Sequence, residues 1–274
     1  MIRLCGAVPV FSDVETRSFN LDPDKIEEKI TPKTKGIIAV SLYGQCADMD
    51  AISAIAKEHG LWVLEDAAQS FGAKYHGTHS CNLSDIATTS FFPAKPLGAY
   101  GDGGAVFTKD RLIAKKIGML RNHGQEKRYY HKMIGMNGRM DTLQAAILRV
   151  KLRHFPGEIK ERQRVAAMYS SVLQGSVDIP KLCEGRSSVW AQYTIRVQNR
   201  DELREKLKDA GIPSAVHYPM PLPSQEAFRD LGQGEDFPVS NRLAGTVISL
   251  PIHPFLKNEE IHFIANTIKG SLNG

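Results

Sequence analysis

The sequence predicts an α/β domain with a mainly parallel sheet, followed by a smaller α+β domain. Two observations carry that expectation. Strand-like and helix-like segments alternate through the first half of the 274 residues, and the alternation stops near residue 155. Strands separated by helices argue for parallel pairing, because a parallel pair needs a crossover connection. The expected division is residues 1–154 for the larger domain and 155–274 for the smaller.

The elements follow in order. Residues 8–11 read as a short strand. Residues 22–30 read as a helix, opened by Asp22-Pro23 with acids in its first turns. Residues 36–42 form a continuous apolar run, the pattern of a strand covered on both faces. Residues 48–59 put Met49, Ile52, Ile55 and Ala56 on one helical face, and Gly60 closes that helix. Residues 61–64, 86–92 and 105–108 read as further strands, and 112–120 and 142–152 as helices. The basic stretch 121–139 between them, rich in His, Tyr and Gly, reads as a solvated surface loop or as one that meets a ligand or a neighbouring subunit. Beyond it the sequence predicts a polar helix at 158–173, a strand at 190–197 and a helix at 201–210. A Pro-rich turn at 213–223 and helices at 241–247 and 259–268 complete the chain. There is no internal repeat.

Composition narrows the function. No apolar run has the length of a membrane span, and Met1-Ile2-Arg3-Leu4-Cys5-Gly6 lacks a signal-peptide pattern, so the cytoplasm is the default expectation. Cys5, Cys46, Cys81 and Cys183 are scattered without Cys-x-x-Cys spacing, which argues for buried free thiols over a zinc site or a disulfide framework. No metal site is expected. A net charge of +5 suits an acidic small substrate and is too weak to argue for nucleic acid.

Three stretches carry chemistry. Glu65-Asp66-Ala67-Ala68-Gln69-Ser70 follows a buried strand, where an acid can face a ligand at the sheet edge or cap a helix. Ser90-Phe91-Phe92-Pro93-Ala94-Lys95-Pro96-Leu97-Gly98 sets a lysine among apolar residues and prolines. Such a lysine reads equally as a desolvated nucleophile that forms an imine, or as a side chain snorkelling from a loop. Gly101-Asp102-Gly103-Gly104 reads as a hairpin turn, with a phosphate cradle as the alternative. Together they say more than apart. An acid after one strand and Ser-x-x-x-x-Lys after the next is what a pyridoxal-phosphate (PLP) enzyme needs.

At these residues the sequence resembles the DegT/DnrJ/EryC1/StrS sugar aminotransferases, a branch of the fold-type I PLP enzymes. The matching stretches are 41–45, 65–71, 90–98, 101–105, 121–125, 135–139, 143–147, 216–219 and 249–254. The resemblance implies an aspartate-aminotransferase-like large domain plus a small C-terminal domain, PLP as cofactor, and a homodimer with shared sites. Position by position, Lys95 matches the lysine that binds the cofactor, Asp66 the partner of its pyridinium nitrogen, Gln69 a neighbour of its ring hydroxyl, and Ser90 a phosphate ligand. Asn137 matches an asparagine that reaches the other subunit's cofactor phosphate. Arg139, His217 and Tyr218 match positions that meet the sugar-nucleotide substrate.

Within the family the likeness is greatest to the UDP-2-acetamido-2-deoxy-hexuluronate aminotransferases of O-antigen biosynthesis, carried by 41–49, 80–83, His123-Gly124-Gln125, Arg128-Tyr129 and 191–194. That likeness implies transfer of an amino group from glutamate to a UDP-linked 3-keto sugar acid. Ala94 departs from the serine usual there. Family members also carry roughly ninety residues ahead of the point where this sequence starts, about a small domain's worth, so the large domain is expected to be N-terminally incomplete. The rival expectation is a non-catalytic remnant or a partner-binding fragment. A Rossmann-type nucleotide-binding protein is excluded, because no Gly-x-Gly-x-x-Gly follows a strand.

Overall fold

A computed structural model describes residues 1–232 and 237–272. Its centre is a four-stranded sheet of β1 (Gly36–Val40), β2 (Trp62–Asp66), β5 (Ile86–Ser90) and β6 (Gly104–Thr108), in the order β1-β2-β5-β6. The first three strands are parallel, with Gly36 opposite Trp62 and Leu64 opposite Ile86, and β6 runs antiparallel to β5. Helix α1 (Met49–Glu58) makes the crossover from β1 to β2. Asp48 caps it by accepting the Ala51 N–H, and Met49, Ile52 and Ala56 face the sheet. A small hairpin, β3 (Lys74–Tyr75) with β4 (Thr78–His79), sits between β2 and β5. After β6 come α2 (Arg111–Leu120), capped by Asp110, and a second hairpin, β7 (Gln125–Lys127) with β8 (Tyr130–His131). The stretch read from sequence as a loop at 121–139 therefore contains short strands.

Helix α3 (Thr142–Leu173) corrects the expectation of two helices. Pro156 lies inside it, and an interior proline costs about 3 kcal/mol of helix propensity. Buried side chains on both flanks hold the helix together across it: Leu148 and Phe155 on one side, Val165, Tyr169 and Leu173 on the other. The helix is continuous across residues 154 and 155, where sequence places the domain boundary.

The C-terminal core surrounds an antiparallel pair, β9 (Tyr193–Arg196) and β10 (Val247–Leu250). The end of α3, α4 (Arg200–Asp209) and α6 (Asn258–Leu272) pack on this pair, and α5 (Pro238–Thr246) runs directly into β10. Sequence reading extends the α5 helix to Val247 and misses β10.

Three other expectations are corrected. Residues 8–11 form no strand; Val8 and Val10 point outward, and Pro9 cannot donate to a ladder. Residues 22–30 form two single 3-10 turns, Pro23–Lys25 and Glu27–Lys29, before Thr31 precedes Pro32. Among the cysteines Cys46 alone is buried, while Cys5 is exposed.

Among the described residues the sheet is covered on one side only. Ile37, Ala39 and Val63 are buried against α1 and its neighbours, and Ala87 is buried on the same face. The opposite face exposes Ile38, Val40, Trp62 and Val106, at 38–46% for each. The continuous apolar run in β1 predicts cover on both faces, and among the described residues one of them is open. No helix among the described residues is long and apolar enough to cross a membrane.

Candidate active site

The site forms at the carboxyl ends of β2 and β5. Because strand side chains alternate, Glu65 and Asp66 at the end of β2 face opposite ways. Glu65 is fully buried, while Asp66 lies on the open side, where its Oδ1 accepts the Ala68 N–H at 3.0 Å. The turn after Asp66 places Gln69, whose Oε1 accepts the Tyr43 N–H at 2.6 Å.

Lys95 lies in the turn that leaves β5. Its half-buried ammonium is pushed below the ordinary lysine value by desolvation, and the negative charge of Asp66 opposes that shift. The two groups are therefore electrostatically coupled. A lowered lysine pKa enlarges the neutral fraction, the form that attacks a carbonyl or takes a proton. Ser90, the last residue of β5, accepts the Phe92 N–H at 3.2 Å and sits at the root of the same turn.

The C-terminal half supplies the other wall. His217 is held below its ordinary value first by burial and then by the positive charge of Lys95. Its Nδ1 lies 2.9 Å from the Ser249 Oγ, which is in turn 2.9 Å from the Thr194 Oγ1. Tyr218 is exposed at 54%, and its hydroxyl accepts a hydrogen bond from the Gln69 Nε2 at 3.4 Å. Tyr43 joins the halves: its backbone N–H binds Gln69 and its hydroxyl donates to the His217 carbonyl. Burial raises the Tyr43 pKa, so the hydroxyl remains a donor.

The structure thus brings together Asp66, Gln69, Lys95, His217 and Tyr218, with Ser90 at the base of the lysine turn. It does not join Asn137 or Arg139 to them by a hydrogen bond among the described residues. Both are exposed; Asn137 pairs with Asn122 in an isolated bridge, and Arg139 donates to the Asn122 Oδ1 at 2.7 Å. A wide cleft of about 1020 Å³ lies elsewhere, along β6 and α2, lined by residues such as Val106, Phe107, Ile117 and Arg121. Asp66, Gln69, Lys95, His217 and Tyr218 are linked by the Lys95 charge and by the hydrogen bonds of Gln69, and none of these five lines that cleft. Sequence reading did not single out Tyr43 or Ser249 for a role, although both fall in stretches that carried the resemblance.

The sequence pattern of the DegT/DnrJ/EryC1/StrS aminotransferase family matches residues 1–269. The chain belongs to this family. The aminotransferase is 53% identical over 264 residues to the UDP-2-acetamido-2-deoxy-3-oxo-D-glucuronate aminotransferase of Pseudomonas aeruginosa, a match covering 96% of this chain and 73% of that one. The crystal structure of a DegT DnrJ EryC1 StrS aminotransferase from Brucella abortus superposes with a TM-score of 0.93 at 40% identity, covering 98% of this chain and 74% of that one. The Bacillus subtilis NtdA structure, solved with bound cofactor PMP, gives 0.91 at 30% identity and covers 100% of this chain and 64% of that one. The α/β fold with a mainly parallel sheet is thus that of the PLP-dependent aminotransferases.

Proposed function

We propose that the chain acts as a PLP-dependent sugar-nucleotide aminotransferase that aminates a UDP-linked 2-acetamido-3-keto-hexuronic acid with glutamate, for an O-antigen or similar polysaccharide precursor. The single observation that supports it most is the half-buried Lys95 amine coupled to the Asp66 carboxylate at the ends of the parallel strands. That donor set fits the cofactor. Asp66 offers a carboxylate on the open side of the sheet to a pyridinium nitrogen, Gln69 lies beside it, and Ser90 offers a hydroxyl to phosphate. When bound, PLP supplies the electron sink that permits proton loss next to the substrate nitrogen. Lys95 would hold the cofactor, and its Nζ would take and return that proton as general base and acid. Asp66 would pair with the ring nitrogen and favour its charged form. Arg139 offers a charge-assisted contact to a substrate carboxylate or phosphate, and His217 and Tyr218 close the substrate side.

The same reading divides the chain into residues 1–154 and 155–274, places it in the cytoplasm, and pairs two copies so that Asn137 of each serves the other's cofactor phosphate. Asn137 lies outside the Lys95 cluster, as a residue that acts across a subunit boundary would.

The test is direct. Purified protein mixed with PLP is expected to absorb in the visible and to hold the cofactor through borohydride reduction, and Lys95→Ala to do neither. A folded wild-type chain that captures no PLP would overturn the reading and favour the partner-dependent or non-catalytic alternative.

A further inference from the structure

Lys95 is carried by a closed turn. The Ala99 N–H donates to the Phe91 carbonyl at 2.7 Å, and the Lys95 N–H to the Phe92 carbonyl at 2.9 Å. Gly98 fits against the start of the turn so closely that a Cβ there would stand 2.4 Å from the Pro93 carbonyl oxygen. The exit of the turn, at residues 98–100, is also held from outside it.

The element that holds it is α3. Gln144, Leu148, Lys151 and Phe155 recur at three- and four-residue steps and so share one face of the helix. Leu148 and Phe155 are buried in a cluster with Phe91, Leu97 and Ala99 of the turn. The polar members of the stripe reach the turn's backbone. Gln144 Oε1 accepts the Tyr100 N–H at 2.9 Å. The Lys151 ammonium donates to the Gly98 carbonyl and lies 5.6 Å from the centre of the Tyr100 ring. Among the described residues no carboxylate pairs with Lys151. A half-buried cation spent on a neutral carbonyl is a directional, charge-assisted contact rather than one half of an ion pair.

We propose that Gln144 and Lys151 are positioning residues for the reaction proposed above: they clamp the backbone on either side of Ala99 and so fix where the Lys95 Nζ points. A purely apolar anchor at Leu148 and Phe155 would hold the turn on the helix but would leave the carbonyl of Gly98 and the amide of Tyr100 free to swing. The clamp removes that freedom. The role rests on Lys95 being the cofactor lysine, yet the clamp itself can be read without any cofactor.

The experiment compares Lys151→Met, Lys151→Arg and Gln144→Leu in the full chain. Methionine keeps the apolar stem and removes the donor; arginine keeps the donor. Hydrogen–deuterium exchange of the Lys95, Ala99 and Tyr100 amides is followed without cofactor, beside the melting temperature. PLP capture at Lys95, trapped by borohydride, and the pH titration of the visible band are followed with it. Lys151→Met and Gln144→Leu are expected to speed exchange at these amides by about tenfold, as loss of one such hydrogen bond implies. They are also expected to slow PLP capture and shift the band's titration, with Lys151→Arg close to wild type. Unchanged exchange and an unchanged band in both variants would overturn the clamp, and so would a Lys151→Arg chain that behaves like Lys151→Met. A wild-type chain that takes up no PLP would sink the proposed function, and the exchange data would still decide the clamp.

Discussion

Glu65 and Asp66 are neighbours in β2, carry the same charge and have opposite fates. Glu65 faces the covered side of the sheet and is fully buried. Its Oε1 accepts from the Ser80 Oγ at 2.7 Å and the Ser41 Oγ at 3.1 Å, and its Oε2 from the Cys81 N–H at 2.7 Å. It joins the end of β1, the end of β2 and the turn before β5. Asp66 faces the open side and the Lys95 charge. One step along a strand separates an acid that holds the scaffold from one that, on the proposed function, meets the chemistry. The pair also shows how the site is supported, since the hydrogen bonds that lock Glu65 fix the strand end that presents Asp66.

The sharpest way to break this comparison is to remove each carboxylate in turn. Asp66→Ala is expected to leave the melting temperature nearly unchanged and to slow the half-reaction with glutamate by on the order of 10²–10³-fold, as loss of a preorganised charge does. Stopped-flow absorbance of the cofactor measures it. Near-normal rates would remove Asp66 from the site. Glu65→Ala is expected to act the other way round. It removes the acceptor of two buried hydroxyls and of the half-buried Cys81 amide, and should cost about 3 kcal/mol of stability in urea denaturation. A variant that loses less than about 1 kcal/mol would show that Glu65 is not a scaffold residue.

How far these roles were legible in the sequence follows the range of the forces involved. The α1 helix and strands β1, β2, β5 and β6 were visible because apolar periodicity and capping residues are local signals. Residues 8–11 misled because a short apolar run is a strand only where a ladder forms, and Pro9 cannot donate to one. Pro156 misled in the opposite sense: local propensity says break, and Phe155 and Val165 packed on either side say continue. In β10, the run Val247-Ile248-Ser249-Leu250 is buried throughout, so it has no period by which to tell strand from helix. Lys95 and Asp66 were legible as chemistry, an acid and a lysine after successive strands. Tyr43, Ser249 and the Gln144–Lys151 clamp were not, because each works through hydrogen bonds to groups far away in sequence.

Smaller effects sharpen the comparison through titration. Burial raises the Glu65 pKa above its ordinary 4.5, and the hydroxyls and amide around it offset only part of that rise. The native chain therefore binds this proton more tightly than the unfolded chain. Its contribution to stability is present in full below pH 4.5 and declines as pH climbs through the raised native value. Glu65→Gln cannot titrate, so the difference in urea midpoint between wild type and Glu65→Gln is expected to drift in favour of glutamine as pH rises through that window. A difference independent of pH would mean that Glu65 is not desolvated as the structure has it.

The smallest effect concerns His217, whose pKa lies below 6.5 because burial and then the Lys95 charge disfavour the imidazolium. Lys95→Met removes the second cause and keeps the first. The His217 pKa, followed by NMR of its ring protons, is expected to rise in that variant and still remain below the ordinary value. Asp66→Asn is expected to leave it nearer to wild type, because the His217 shift arises from burial and the Lys95 charge. A His217 pKa that ignores Lys95→Met would separate the two residues and take His217 out of the cluster. A pKa that moves would tie the C-terminal wall of the site to the same lysine that Asp66 faces.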